Sequence, residues 1–390
     1  MKLKFIYTLI ITFLSTFSVC FGQDHYTDEA RIDNVNYHLF NNENARIVGG
    51  DFKGNVIIPQ LIKHKGKSYR VVEIGFEALK DSKELISLKL PNSLKKIRSR
   101  AFENCTNLQS IVLPSSLESI ETLAFLKCTN LPSIHLPKNL IDLGDYAFAL
   151  CQSLSSITVD EESVIFSSLD GVLYNKDLSC VIKVPQSKTE YVFPESVKEI
   201  TSSSFQYCNH LTSLDIPESV TKIPNESFYN CSSLKRIYIN KNIDFIGFRA
   251  FAECASLSEI SVDQGNMYFT TVDEILYNYD KTLLKFCPPN KTSVTIEKTT
   301  QTIGSYSFSS CNNLVDITLP ESVSVIASSS FHNCTALKSV RIESRKPIKI
   351  IEYAFGTYSK DLLVWVPFET IDFYKKSNSL YVKELNFKGF

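Results

Sequence analysis

Apolar residues recur along this chain in columns that repeat every 23 residues, as from Cys105 to Cys128. In the unit that begins at Ile97, Phe102 and Cys105 share one face of a short helical turn. In each unit, the residues fourteen and sixteen positions after the first are apolar and the residue between them is variable. This alternation is typical of a half-buried strand. The pattern therefore predicts a helical turn, a tight bend and a short strand in every unit.

A fixed period of this length is typical of a solenoid, because one unit cannot bury its apolar face alone and must stack on its neighbours. We expect a right-handed solenoid of about twelve rungs, about 60 Å long at about 4.8 Å per rung. One column of the repeat contains cysteine in eight units. These residues are Cys105, Cys128, Cys151, Cys208, Cys231, Cys254, Cys311 and Cys334.

Two units are longer, spanning residues 143–199 and 246–302, and they match each other at a separation of 103 residues. Both contain a related sequence, GVLYNKDLSCVIKVP in the first and EILYNYDKTLLKFCP in the second. Each sequence predicts two strands joined by a polar turn, at residues 175–177 and 278–280 respectively. We interpret both as rungs that carry a hairpin. The alternative is that the insertions are binding loops, which often lie on one face of a solenoid.

The regular repeats occupy residues 74–349, and the segments on either side are out of period. Residues 23–73 are rich in strand formers and residues 350–390 lose the cysteine column. Because a solenoid needs atypical ends to cover its open apolar face and unpaired strand edges, we interpret both segments as caps.

Residues 1–22 are predicted to be a secretory signal peptide, with two lysines, a long apolar stretch and then small or polar residues. We expect cleavage after Gly22 and a protein that is secreted or held at the cell surface. The alternative is a lipid anchor on Cys20, although Val19 stands where such a signal normally has a small residue. No later stretch approaches the roughly 20 apolar residues of a membrane-spanning helix.

Cysteines in an exported chain raise the question of disulfides, and ten cysteines follow the leader. Stacked rungs separate equivalent residues by about 4.8 Å, wider than the roughly 3.8 Å that a disulfide favours between Cβ atoms. Each cysteine of the column also follows a phenylalanine by three residues. We therefore predict buried thiols that pack as small apolar side chains, rather than disulfides or a zinc site.

Asparagine precedes several of these cysteines and forms Asn-x-Ser/Thr sequences, at Asn104, Asn230 and Asn333. Such sequences are glycosylation acceptors in some organisms. Because they recur in one column of the repeat, we interpret these residues as turn formers.

Charge excludes one class of partner. The formal net charge is −1, and it becomes −3 once the leader's two lysines are removed, with both signs scattered along the chain. No basic run is present, so we expect no nucleic-acid partner.

The repeated text I-x-x-x-A-F-x-x-C-x-x-L-x-x-I-x-L-P resembles the BspA-like leucine-rich repeat family of bacterial surface proteins, from about Tyr37 to Tyr381. The ends YRVVEIG and VWVP are also similar to those of that family. The resemblance implies an α/β leucine-rich repeat solenoid, secreted or at the cell surface, that binds host matrix proteins or glycans. Leu79 and Ser82 replace Phe and Cys in the first unit.

No catalytic, cofactor or metal site is predicted. The chain contains no HExxH, GxSxG or phosphate-binding glycine motif. Its histidines fall in different columns without a partner at fixed spacing, so we expect surface or turn roles for them. They are His25, His38, His64, His135, His210 and His332.

Outward-facing strand positions vary from unit to unit, as a binding surface on the concave sheet face would; a solvated sheet without a binding role is the alternative. Aromatic and Arg side chains dominate interface energetics, so Tyr238 beside Arg236 is the most ligand-like place. The candidate ligand-binding residues are Lys235, Arg236, Tyr238, Arg341, His135 and Asp215.

The sequence therefore predicts a monomeric, non-enzymatic recognition or adhesion protein that binds a host matrix or envelope protein through its sheet face. A glycan-binding or structural component of the bacterial cell envelope is the alternative, because a tyrosine among polar neighbours also suits a sugar ring. An enzyme is the third class of hypothesis.

Overall fold

The computed structural model describes residues 25–356, 361–377 and 379–390. The predicted signal peptide and Cys20 lie outside the described residues. Short strands and turns follow one another along the described chain and stack rung upon rung, so the predicted solenoid is confirmed.

The N-terminal strands precede the regular repeats. They are β1 (Asp28–Ile32), β2 (Val35–Leu39), β3 (Asn44–Gly50), β4 (Gly54–Ile57), β5 (Leu61–His64) and β6 (Lys67–Ile74). Strands β1, β2 and β3 form an antiparallel meander, and β3 pairs with β6 in parallel. Alternate side chains of β2 are buried, so one face of the meander covers the first rungs.

Two strands of different length recur in each of the first regular rungs. They are β7 (Leu85–Lys89), β8 (Lys96–Ile97), β9 (Ser110–Val112), β10 (Ser119–Ile120), β11 (Ser133–Leu136), β12 (Asp142–Leu143) and β13 (Ser156–Val159). The longer strands pair in parallel as β4-β7-β9 and as β11-β13, and we call this series the long ladder. The two-residue strands continue from β6 as β8-β10-β12, and we call them the short ladder.

The first long repeat interrupts both ladders, and regular rungs come after it. The strands are β14 (Phe166–Leu169), β15 (Val172–Asn175), β16 (Cys180–Lys183), β17 (Glu199–Ile200), β18 (Ser213–Asp215), β19 (Lys222–Ile223), β20 (Arg236–Ile239), β21 (Phe245–Ile246) and β22 (Glu259–Val262). Strand β15 is antiparallel to both β14 and β16, and β16 joins β17 of the short ladder in parallel. The long ladder resumes as β18-β20-β22.

The second long repeat and the remaining chain repeat this arrangement. The strands are β23 (Phe269–Val272), β24 (Ile275–Asn278), β25 (Leu283–Phe286), β26 (Thr302–Ile303), β27 (Asp316–Leu319), β28 (Val325–Ile326), β29 (Ser339–Ile342), β30 (Lys349–Ile350), β31 (Leu363–Val366) and β32 (Asn386–Gly389). A 3-10 turn at Phe368–Thr370 and the helices α1 (Ile371–Lys375) and α2 (Leu380–Glu384) separate the last two strands. The long ladder ends as β27-β29-β31-β32.

The segment between the two strands of a rung differs from the predicted helical turn. After Ile97 it consists of successive four-residue turns, in which the N–H of Ala101 donates to Arg98 and that of Cys105 donates to Phe102. Left-handed backbone at Arg100 (φ 57°) prevents a continuous helix. The described rungs are therefore built of strands and turns, and the fold is a β-solenoid with few helices rather than an α/β structure.

Alternate N–H groups of these turn segments bond between rungs. Phe102 donates to the carbonyl of Ala124 at 2.7 Å, and Phe125 donates to Ala147 at 2.8 Å. Two residues of each segment therefore have left-handed backbone, with positive φ. Asparagine tolerates that conformation better than most residues, and Asn104, Asn230 and Asn333 adopt φ between 56° and 62°. The prediction that they form turns is confirmed.

Phenylalanine rings stack on one another through the core. The centroid distances are 4.9 Å for Phe102–Phe125, 5.6 Å for Phe125–Phe148, 5.0 Å for Phe205–Phe228, 5.8 Å for Phe228–Phe251, 4.8 Å for Phe308–Phe331 and 5.4 Å for Phe331–Phe355. Offset stacking at these distances adds to the stabilisation from area burial. The predicted aromatic column is therefore continuous within each block of regular rungs.

The cysteine column lies beside these rings. All ten described cysteines are free thiols, and seven of the eight in the predicted column are buried while Cys334 is half-buried, which confirms the thiol column. The thiols also donate hydrogen bonds, which the sequence did not indicate. The Sγ of Cys128 donates to the carbonyl of Phe102 at 3.2 Å, and the Sγ of Cys231 donates to that of Phe205 at 3.1 Å. Each such bond links one rung to the preceding one.

The described residues include no helix long and apolar enough to cross a membrane.

Truncation of a stacked ring provides a test of these columns. Phe148 is 3% exposed and packs on Phe125, so Phe148→Ala should lower the free energy of unfolding by about 3–5 kcal/mol. His135→Ala, on an exposed strand position, should change it by less than about 0.5 kcal/mol. Urea denaturation of both variants measures the difference, and equal losses would contradict the assignment of the columns.

Candidate functional site

The best-formed candidate surface is the exposed face of the sheet β18-β20-β22, which we call the central sheet. Side chains along each strand point alternately to the core and to solvent, and those of Leu214, Ile237 and Ile260 point into the core. The residues between them face solvent. Parallel pairing sets these exposed residues in two rows, one of Ser213, Arg236 and Glu259 and the other of Asp215, Tyr238 and Ser261.

Tyr238 is 41% exposed at the middle of the second row. Its hydroxyl donates a hydrogen bond to Oδ2 of Asp263, which follows β22. This bond raises the pKa of the phenol and lowers that of the carboxyl group. The backbone N–H of Gly265 donates to the other carboxylate oxygen at 2.7 Å. The hydroxyl group is therefore fixed, while the side chain remains exposed.

Charges of both signs surround the tyrosine. Lys235 and Arg236 are exposed on β20 and its flank, and neither has an ion-pair partner among the described residues. Asp215 is exposed on the neighbouring strand and Glu259 on the other. Such a surface offers an aromatic ring, cationic donors and carboxylate acceptors on a rigid backbone, which suits recognition of a polar partner.

The other two candidate residues lie in different sheets. His135 pairs with Thr158 between β11 and β13, and its Nδ1 is 3.0 Å from the threonine hydroxyl. Arg341 lies on β29, where its guanidinium carbon is 3.4 Å from the ring centroid of Phe390. The structure thus brings Lys235, Arg236, Tyr238 and Asp215 together and leaves His135 and Arg341 elsewhere. The long repeats separate the three sheets.

Sequence reasoning did not select Asp263 as a site residue. It lies in the turn that follows β22, inside the second long repeat. The signal that could have found it is Asp263-Gln264-Gly265, a pattern that favours an Asx turn directly after a strand. Sequence reasoning also did not select Trp365. This residue pairs with Arg341 because β31 adds to the sheet β27-β29-β31-β32.

Within the described part of the chain, no cluster of three or more His, Cys, Asp or Glu side chains could hold a metal ion.

The contact between Tyr238 and Asp263 can be tested by titration. Tyr238→Phe removes the donor, so the pKa of the Asp263 carboxyl should rise toward its ordinary value. Tyr268→Phe, which removes another exposed phenol nearby, should leave it unchanged. NMR-detected titration of the side-chain carboxyl carbon measures both; an unaltered Asp263 pKa in Tyr238→Phe would contradict the contact.

Comparisons with known proteins agree with the solenoid fold. The family model described as the BspA type leucine rich repeat region matches residues 67–182, 185–283 and 278–389. A leucine-rich repeat protein from Eubacterium ventriosum has a solved structure with a TM-score of 0.55 and 21% identity, over 85% of this chain and 96% of that one. Another, from Bacteroides ovatus, gives a TM-score of 0.41 and 23% identity, over 92% and 99%. No curated protein sequence matches.

Proposed function

This chain belongs to the BspA-type leucine-rich repeat family, and on that premise we propose that it is a non-enzymatic recognition or adhesion protein exported to the cell surface or medium. It binds a protein ligand, such as a host matrix or envelope protein, through the central sheet. Regular rungs bury their apolar columns and expose outward strand positions that vary from rung to rung, and binding specificity resides there.

One observation carries this proposal. Arg236, Tyr238 and Asp215 share one exposed face of a rigid parallel sheet, whose buried side packs against the core. Arginine and tyrosine are enriched among the residues that dominate binding energy. Because the backbone is fixed by neighbouring rungs, little conformational entropy is lost when a partner docks.

A glycan ligand is the second candidate, and a specific feature favours it. The hydroxyl of Tyr238 is bonded to Asp263, and the side chain is exposed on a surface rich in carboxylate and hydroxyl groups. Such a platform could stack a sugar ring and hydrogen-bond its hydroxyl groups.

A double substitution separates these hypotheses. Arg236→Ala with Tyr238→Ala should weaken binding of purified host matrix proteins about 30-fold or more, because both side chains anchor the interface. Arg345→Ala with Tyr279→Ala removes the same side-chain types from exposed positions outside the central sheet and should change binding less than about twofold. Surface plasmon resonance against a matrix-protein panel and a glycan array measure both classes of ligand.

Protein binding that survives the double substitution would exclude the central sheet as the site. Signal on the glycan array alone, lost in the same variant, would favour the glycan hypothesis. The absence of both kinds of binding would contradict a recognition function.

Export is tested on the protein recovered from its native cells. Cleavage after Gly22 predicts a mature N-terminus at Gln23 in the medium or at the cell surface, detected by mass spectrometry of N-terminal peptides. A lipid-modified N-terminal Cys20 would establish the alternative anchor. An unprocessed chain confined to the cytoplasm would contradict export.

A further inference from the structure

A cavity of about 180 Å³ lies between two turn segments that the second long repeat separates. Its walls come from residues 246–252, from β24 and β25, and from residues 304–306. Phe248 and Tyr306 form an aromatic edge, with ring centroids 5.5 Å apart. Phe248 is 39% exposed, so the cavity opens toward solvent at this edge. The space is distinct from the central sheet, because different elements line it.

Lys285 extends from β25 into the wall of this cavity. Burial lowers the pKa of its ammonium group. Among the described residues, the ammonium group has no hydrogen-bond or ion-pair partner, and the ring centroid of Phe269 lies 5.6 Å from Nζ. The side chain is half-buried, and a cation that is partly withdrawn from water without gaining an acceptor is costly to the fold. An anion in the cavity would supply that acceptor.

Arg249 contributes a second cation to the same wall. Its Nη1 pairs with Oε1 of Glu226 at 2.6 Å, and its guanidinium lies between the rings of Tyr229 and Tyr306, at 4.2 and 4.7 Å. Its Nε is buried, with no acceptor among the described residues. One donor of this arginine is therefore also unsatisfied.

No carboxylate is available to neutralise Lys285 within the cavity. Its lining contains neither Asp nor Glu. Glu226, the carboxylate paired with Arg249, also accepts from the hydroxyl of Tyr146 and the amide of Gln206, both through Oε2. Arg249 is therefore paired with a carboxylate outside the lining, and Lys285 has no acidic side chain among the residues that line the cavity. The cavity has an excess of positive charge.

The first long repeat contains an equivalent cavity of about 240 Å³, and its chemistry differs. At the positions 103 residues earlier, Ile182 replaces Lys285, Tyr146 replaces Arg249 and Asp145 replaces Phe248. Its own lysine, Lys183, donates to the carbonyls of Ser203 and Gln206 at 3.1 and 3.2 Å. The fold can therefore be built without a lysine at position 285, and the charges of the second cavity are a property of this copy alone.

We propose that the cavity beside Lys285 binds a small organic carboxylate, with the anionic group on Lys285 and a flat body against Phe248 and Tyr306. The volume is sufficient, since a cavity of roughly 150 Å³ in another protein admits benzene. Aromatic rings along the edge favour a planar or ring-shaped body over a phosphate ion. This site adds a small-molecule ligand to a protein whose proposed partner binds elsewhere.

Benzoate and benzamide, which differ by the charge of one group, are the probes for this site. Isothermal titration of the intact mature protein should show saturable benzoate binding, at least about tenfold tighter than benzamide, because a hydrogen bond to a charged group is worth that factor. Lys285→Ile, which copies the residue of the first long repeat, should weaken benzoate binding at least about tenfold. Lys298→Met removes an exposed lysine and should alter it less than about twofold.

Thermal unfolding shows whether each variant is folded, and Lys285→Met serves as a second variant if Lys285→Ile is not. Equal affinity for benzoate and benzamide, unchanged binding by a folded Lys285 variant, or no saturable benzoate binding by the wild type would each overturn the proposal. None of these outcomes depends on the central sheet, so the test is independent of the protein-binding function.

Discussion

The structure depends on hydrogen bonds that join the turn segments of successive rungs. Alternate N–H groups of each segment donate to the next rung, as Phe102 does to Ala124 and Phe125 to Ala147. This alternation requires left-handed backbone within every segment and sets equivalent residues of neighbouring rungs above one another. Each column therefore stacks on itself, and rings and thiols find the same partners in rung after rung.

The two long repeats interrupt that stacking and alter the core around them. Antiparallel strands replace one step of the parallel ladders, so the aromatic column is broken at the insertion. In the second copy Phe286 contacts Phe251 at 5.9 Å, whereas Lys183 occupies the corresponding position of the first. Both copies leave a cavity between parted turn segments. The residues around the two cavities differ in charge.

Much of the fold could be predicted because burial follows the period of the sequence. The strand alternation placed Ile237 inside and Tyr238 outside, and the cysteine column was recognised as interior. The turn segments were misjudged, because apolar residues three apart fit one face of a helix and also fit successive turns. Only the backbone hydrogen bonds between rungs distinguish the two. Similarly, His135 and Arg341 belong to the same sequence column as Tyr238 but lie in other sheets, since the long repeats divide the ladder.

The sequence by itself determined the solenoid, the identity of the buried columns, the duplicated long repeats and the family, because each is expressed in the spacing of apolar residues. Tertiary structure alone decided which polar groups meet. The hydrogen bond between Tyr238 and Asp263 joins residues that are 25 positions apart in the sequence. The hydrogen bond from Arg249 to Glu226 joins residues that are 23 positions apart. The isolation of Lys285 also depends on which side chains fail to reach it. Such contacts are set by which side chains meet between stacked rungs, whereas hydrophobic periodicity records only whether a side chain points inward or outward.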